Sequence, residues 1–436
     1  MAQAEAHKVV IVGGGAGGLE LAAKLGRKFG PEHIVLVDKD GDHIWKPSLH
    51  EVAAGTLDIH REGLSYFMLA RDCGFTFMRG EVRRIDQTAK SIRLEAVMTD
   101  RDEEAFPERD VAYDTLVLAV GSRSNFFNTP GATEHAIALD STAEAERFRL
   151  KLLHELVNIN RRKPAEPDCV LNIGIVGGGA TGVELAAELH EASVDLPFYG
   201  LDNIDPDRDI KITLLEGSPR ILSALPERMS EAAQRLLINR GIAVKTSVQV
   251  ASVTADALYD AGGNRYPADL CVWAAGIKAP TFLADLGLPV NNLNQLVVDA
   301  SLRTQNPDIF AMGDCAQANW KNEDRYLPAR AQVAHQQADF LVPIMAQRIA
   351  GADPGPRVFK FRDYGSLVSV GHNRGVGSLM GVLSGKSWFV EGLVARVMYM
   401  SLHLMHHMSV LGFMRTASLA LGRLLIKRSA PRVKLH

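Results

Sequence analysis

Two glycine-rich turns, each followed by an acid, carry the chemistry that residue type and spacing suggest most directly. The first, Gly13-Gly14-Gly15-Ala16-Gly17-Gly18, follows an apolar run from Lys8 to Val12 and precedes a helical pattern from Leu19 to about Phe29. A second apolar run, His33 to Val37, ends in Asp38, at the spacing of about 20 residues past the last glycine that a ribose-binding acid takes. Strand, turn, helix, strand and acid in this order form a dinucleotide-binding unit. Gly13 makes the tight turn, Gly15 lets backbone approach a pyrophosphate, and Gly18 lets helix and strand pack closely, with Ala16 and Gly17 as further cofactor-binding positions of the turn. The helix N-terminus offers N–H groups and a positive dipole to phosphate, and Asp38 accepts hydrogen bonds from an adenosine ribose.

The unit occurs twice. Residues 173–189, which include Gly177, Gly179, Ala180, Thr181 and Gly182, align with residues 9–25 at a shift of 164, with 12 of 17 identical. The second strand of this copy, Ile210 to Leu215, ends in Glu216, farther from Gly182 than Asp38 is from Gly18, because residues 191–209 insert a polar excursion. An acid at that strand end favours a free ribose 2′-hydroxyl, hence NADH over NADPH, although Arg220 nearby could hold a 2′-phosphate. Each unit closes on a related strand and glycine, Asp114 to Ala119 and Gly121 in one, Asp269 to Ala275 and Gly276 in the other. A pair of such domains implies two dinucleotides face to face, most economically FAD as non-covalent cofactor with NADH as substrate. One dead copy is the alternative.

These elements must sit in a large folded body. At 436 residues the chain predicts two or three domains, and 47% hydrophobic with 23% charged residues is an ordinary globular balance. A net charge of -3 removes the electrostatic case for nucleic acid. Cys73, Cys169, Cys271 and Cys315 are widely scattered along the chain, which offers neither a redox dithiol nor zinc spacing, so no metal is expected. The first strand starts at Lys8, leaving no room for a signal peptide, and the body reads as cytoplasmic. From Lys386 to His436 there are eight basic residues and one acid, a tail suited to an anionic lipid surface.

On these motifs the chain resembles the two-dinucleotide-binding-domain flavoproteins, and within them the bacterial type II NADH dehydrogenases, single-subunit NADH:quinone oxidoreductases. The flavoprotein marker is Thr304 to Ala316 with Gly313-Asp314; Ala331-Gln332-Val333-Ala334-His335-Gln336 resembles the family's Ala-Gln-x-Ala-x-Gln signature, and His43 to Gly55 its loop over the flavin. The fold implied is α/β, with two Rossmann-like domains of the glutathione-reductase-like type and a C-terminal amphipathic helical membrane-binding tail. The expected boundaries are 1–140 with 290–385 for FAD, 141–289 for NADH and 386–436 for the tail.

The resemblance further implies Val82, Ala119, Gly121, Gly313, Asp314 and Gln332 beside FAD, Ala275 and Gly276 beside NADH, Glu184 near nicotinamide and flavin, and Gln332, Gln336 and Lys386 around a quinone, ubiquinone or menaquinone. Glu184, Gln332 and Gln336 are the expected chemically active side chains. A helix starting near Ala329 would point its dipole at the flavin, and glutamines four apart share one helical face. Glu188 reads as an ordinary helix-face acid and His335 as a packed or surface histidine, with donation of protons to the quinone as the alternative for His335.

The stretch between Arg396 and Arg415 holds no Lys, Arg, Asp or Glu, but it does hold His403, His406 and His407. That is borderline for a span and suits a helix lying in the interface, with Trp388, Phe389, Tyr399 and Phe413 at its depth. A helix packed on the core or in a homodimer interface is the alternative. The implied reaction is hydride transfer from NADH to flavin and two electrons onward to quinone, without ion pumping, on the cytoplasmic face of the bacterial inner membrane as a peripheral protein. Rival readings are a sulfide:quinone oxidoreductase, which the cysteine spacing disfavours, a soluble NADH-dependent reductase of a protein carrier, and a non-catalytic redox sensor.

Overall fold

The computed structural model describes residues 6–99, 101–320, 325–371, 375–380 and 387–426. Two parallel five-stranded sheets organise it. The first runs, edge to edge, Ile309–Ala311, Thr115–Leu118, Val9–Val12, Ile34–Asp38 and Thr76–Arg79. The second runs Ala136–Ala138, Leu270–Trp273, Leu171–Val176, Ile210–Leu215 and Ala243–Lys245. Their central strands, Val-Val-Ile-Val, Thr-Leu-Val-Leu and Leu-Cys-Val-Trp, are buried throughout, as continuous apolar runs must be when helices cover both faces of a sheet. Each unit also carries a three-stranded antiparallel meander, formed by Val82–Asp86, Ser91–Leu94 and Arg109–Ala112 in one and by Val250–Val253, Ala257–Asp260 and Arg265–Pro267 in the other. The duplication read from the glycine turns therefore extends through whole domains.

Two expected boundaries shift. Strand Ala136–Ala138, assigned to the first domain by the limit at 140, pairs in the second sheet with Cys271–Trp273. Ala279, Leu283, Leu286 and Leu288, assigned to the second domain by the limit at 289, pack in the first core. The crossing is made where Arg123–Ser124 pairs antiparallel with Ile277–Lys278, and no composition change marks that short ribbon.

Gly365–Ser369, Gly375–Met380 and Ser387–Glu391 form an antiparallel sheet, so the segment from 386 starts with a strand and not with the tail helix. Helices Leu393–Leu411 and Phe413–Ile426 follow, separated at Gly412, whose φ is +79°. The first docks on helix Ala16–Phe29 through buried His406, which meets Glu20, and buried Val410, whose carbonyl meets Arg27. Its other face leaves Leu402, Met405 and Met408 exposed, and the second helix leaves Phe413, Met414, Leu419 and Leu421 exposed. The tail helix is packed on one face and leaves apolar side chains exposed on the other. Among the described residues, no helix is long and apolar enough to cross a membrane.

Candidate active site

Both glycine turns have the shape a pyrophosphate needs. Gly13 and Gly177 have φ of +104° and +110°, which side-chain-bearing residues rarely adopt, and a Cβ on Gly18 or Gly182 would lie 1.9 or 2.0 Å from the carbonyl oxygen of Gly13 or Gly177. By contrast, a Cβ on Gly15 or Gly179 would meet nothing within 4 Å. That is open space in front of the N-termini of helices Ala16–Phe29 and Ala180–Val194, where a phosphate fits. Gly17 serves packing: a Cβ there would lie 2.4 Å from Met312 Cε and 2.9 Å from the Ala334 carbonyl, so its hydrogen permits the close approach of helix Ala331–Ile349.

The strand-end acids are fixed alike. Asp38 accepts from the Gly14 N–H at 2.6 Å and from the Asp40 N–H at 2.9 Å. Glu216 accepts from Gly178 N–H at 2.6 Å and Ser218 N–H at 2.7 Å. The longer spacing leaves Glu216 equivalent to Asp38 because the excursion folds away as Leu196–Tyr199 and Pro206–Asp209, pinned by buried Asp209 to Lys163 at 2.7 Å. Arg220 gives its guanidinium to the carbonyls of Leu222, Ser223 and Leu225 and is not directed at a phosphate.

The Gly313-Asp314 turn lies at the end of strand Ile309–Ala311. Asp314 accepts from Ser122 Oγ at 2.8 Å, and Lys46 Nζ donates to the Ser122 carbonyl at 2.7 Å. Gly313 N–H donates to Gln337 Oε1 at 2.7 Å. Gln337, 1% exposed, was missed in the sequence, since it stands one place past the signature and looks like one glutamine among several. Ala119 closes on Val12 through its N–H. Gly121 faces open space at φ +67°, Ala275 accepts from the Trp273 indole, and Gly276 is covered by Phe127. Val82 is buried at the start of its meander.

Helix Ala331–Ile349 begins slightly later than the expected start near Ala329. Gln332 donates to Asp363 Oδ1 at 3.2 Å and the Gly365 carbonyl at 3.0 Å and accepts from Tyr364 N–H; Gln336 donates to the Arg362 carbonyl at 2.8 Å and accepts from Arg362 N–H at 2.9 Å. Both amides thus hold segment 362–365 against the helix. Lys386 lies outside the described residues, as do the side chains of Trp388, Phe389 and Tyr399.

Glu184 is buried where the second unit meets the loop from the first. It accepts from Ser369 N–H at 3.0 Å, lies 3.6 Å from His50 Nδ1, and has Glu51 and Glu188 as acidic neighbours. Burial first, and those two acids after it, push its carboxyl up to about 8, so at neutral pH it holds a proton. Burial holds His50 down to about 4, in its neutral form.

A family model for pyridine nucleotide-disulphide oxidoreductases matches residues 7–338. The type II NADH:quinone oxidoreductase of Haemophilus influenzae is 38% identical over 98% of this chain and 99% of its own length. The chain belongs to the type II NADH:quinone oxidoreductase family. NDH2 of Plasmodium falciparum, solved in complex with NADH, superposes with a TM-score of 0.79 at 19% identity over 98% of this chain and 100% of that one. The sulfide:quinone oxidoreductase of Aquifex aeolicus superposes with a TM-score of 0.70 at 18% identity, covering 98% of this chain and 96% of that one, so the fold alone does not separate the two activities. All four cysteines are free.

Proposed function

We propose that the chain binds FAD non-covalently in its first unit and NADH in its second, and passes electrons from NADH to a membrane quinone, ubiquinone or menaquinone. The observation that carries this reading is the presence of two intact, open phosphate cradles in one chain that matches a type II enzyme over nearly its full length. When bound, the flavin supplies a two-electron carrier between nicotinamide and quinone.

The chain's own residues bind and orient. The Gly13–Gly18 and Gly177–Gly182 turns take the pyrophosphates, Asp38 and Glu216 the riboses, and Asp314 the remaining flavin nucleotide. Glu216 is acidic and Arg220 committed to carbonyls, so NADH is favoured over NADPH. Glu184 presents a neutral carboxyl close to nicotinamide and flavin, where a carboxylate would oppose the negative charge that a hydride brings to the flavin side. Gln332 and Gln336 hold segment 362–365 as one wall of the quinone pocket, with Lys386 near its mouth. The exposed apolar face of the tail, flanked by basic residues, rests on an anionic lipid surface at the cytoplasmic face of a bacterial inner membrane, and a homodimer would pair two such tails. The protein is peripheral and transfers no ions across the bilayer.

An anaerobic titration tests this. NADH should bleach the visible flavin band of the purified protein, and a short-chain quinone should restore it quickly. Bleaching without return would keep both nucleotide sites and remove the quinone in favour of a soluble carrier or a redox sensor. A membrane potential generated in sealed vesicles by the protein alone would overturn the non-pumping part.

A further inference from the structure

Three elements meet at one buried carboxylate. Glu20, 1% exposed on helix Ala16–Phe29, is 2.5 Å from His335 Nδ1 on helix Ala331–Ile349 and 2.8 Å from His406 Nδ1 on tail helix Leu393–Leu411. The other nitrogen of His406 is 2.9 Å from His43 Nε2, and His43 Nδ1 is 3.0 Å from the Gly14 carbonyl inside the first glycine turn. Around this row stand Lys24, 3.5 Å from Glu20 and 2.5 Å from Asp339, the Tyr66 ring against His43, and His403 and His407 along the tail helix. Trp45 packs on His406 with ring centroids 4.4 Å apart.

The direction of each hydrogen bond follows from the chain ends. A carbonyl only accepts, so His43 donates from Nδ1 to Gly14, and neutral His43 accepts at Nε2. At the other end the Glu20 carboxylate accepts from His406 Nδ1, so the two facing Nε2 atoms of His406 and His43 hold one proton between them. One more proton on His43 sets two N–H groups facing each other across that contact. Both histidines are 3% exposed, so bulk solvent does not reach the contact to relieve it.

We propose that His43, His406 and Glu20 form an acid-sensitive latch that docks the tail helix on the nucleotide-binding body and opens when His43 takes a proton. Burial, and then the neighbouring His406, hold the His43 imidazole well below its ordinary value. Hydrogen bonds from His335 and His406 outweigh burial and hold the Glu20 carboxyl down to about 2, so Glu20 stays charged through the range in which His43 titrates. The sign for the His43 contribution follows: kept neutral in the docked state, it supports docking fully above its free value near 6.5, and that support falls as pH drops below it. Further links, Arg27 to the Val410 and Ser409 carbonyls, Arg415 to Asp72 and the Cys73 thiol to the Val410 carbonyl, involve guanidinium groups and a thiol that burial pushes up, none of which titrates there. The latch is independent of which quinone or lipid the tail meets.

Amide hydrogen exchange on the full-length protein, corrected for intrinsic exchange, tests it between about pH 7.5 and about pH 5. Residues 393–411 should lose protection by up to about tenfold per pH unit below the midpoint, while helix Glu227–Ile238 keeps its own. In His43→Gln, whose amide can donate to Gly14 and accept from His406 without titrating, protection of 393–411 should stay flat. Glu20→Gln should lower it at every pH. Unchanged protection of 393–411 in the wild type at about pH 5, or the same acid response in His43→Gln, would overturn the latch. Should His43→Gln fail to fold, His406→Gln serves in its place, and there the acid response should be absent because no imidazole faces His43.

Discussion

Glu20 and Glu184 occupy the same place in the two copies of one unit and are both buried, at 1% and 6% exposed. Yet Glu20 is held down to about 2 and Glu184 pushed up to about 8. Backbone does not explain this, since both lie on the helix after equivalent glycine turns. The neighbours do. Two imidazoles donate to Glu20, whereas Glu184 receives a single N–H from Ser369 and faces His50, which burial keeps neutral. One turn further along, Lys24 stands where the second copy has Glu188, so the partner four residues on changes sign. Duplication preserved the helix and the turn; what packs against each helix decided whether the shared glutamate is an anion or an acid.

That contrast makes its largest prediction at Glu20. Glu20→Ala leaves two buried imidazoles without their carboxylate and should cost about 3–5 kcal/mol at neutral pH, the range for breaking one side of a buried ion pair. Glu184→Ala removes a neutral carboxyl with one backbone partner and should cost about 1–3 kcal/mol, chiefly the lost hydrogen bond and cavity. Chemical denaturation of both variants with flavin bound compares them. Equal losses would mean that the two sites do not differ in charge.

A smaller effect concerns pH. The unfolded Glu184 releases its proton near 4.5 and the folded one near 8, so between those values the native state binds more protons and its stability falls as pH rises. Glu184→Gln removes that dependence. Its melting temperature should draw level with or exceed the wild type's as pH approaches 8, with a gain of about 1–2 kcal/mol once screening and relaxation are allowed for. In the NADH half-reaction the wild type should lose rate as pH passes about 8, and Glu184→Gln should show no such limb. A wild-type limb that persists in the variant would assign it to another group.

The glycine turns, the strand-end acids and the strand–helix–strand succession were readable in the sequence because each rests on backbone rules that act within a single strand–helix–strand unit. Glu216 was readable even at its longer spacing, since its place at the strand end mattered more than the count. The domain crossings were not, because so short a ribbon has no compositional signature. Nor was the Glu20 hub, two of whose partners, His335 and His406, are 315 and 386 residues away in sequence. A signal was present nonetheless: the alignment that singles out Glu184 places Glu20 beneath it, and a buried position in one copy predicts a buried position in the other. His403, His406 and His407 looked like an interruption of an apolar stretch, whereas His406 is what fastens that stretch to the body.

The smallest prediction tests the sign change four residues on. Lys24→Gln removes a favourable i, i+4 charge from Glu20 and should destabilise by about 0.2–0.5 kcal/mol, a surface-pair value, because Lys24 is partly exposed and also bound to Asp339. Glu188→Gln removes a like charge from beside Glu184 and keeps an oxygen for the Thr56 hydroxyl, which donates to Glu188 at 2.5 Å. With less repulsion the Glu184 carboxylate forms more readily, so the alkaline limb of the NADH half-reaction should move to lower pH by a few tenths of a unit, the equivalent of about 0.5 kcal/mol. A shift to higher pH would mean that Glu188 stabilises the Glu184 carboxylate through a shared donor. The difference between the two copies would then rest on His335 and His406, with the residue four places along acting against it.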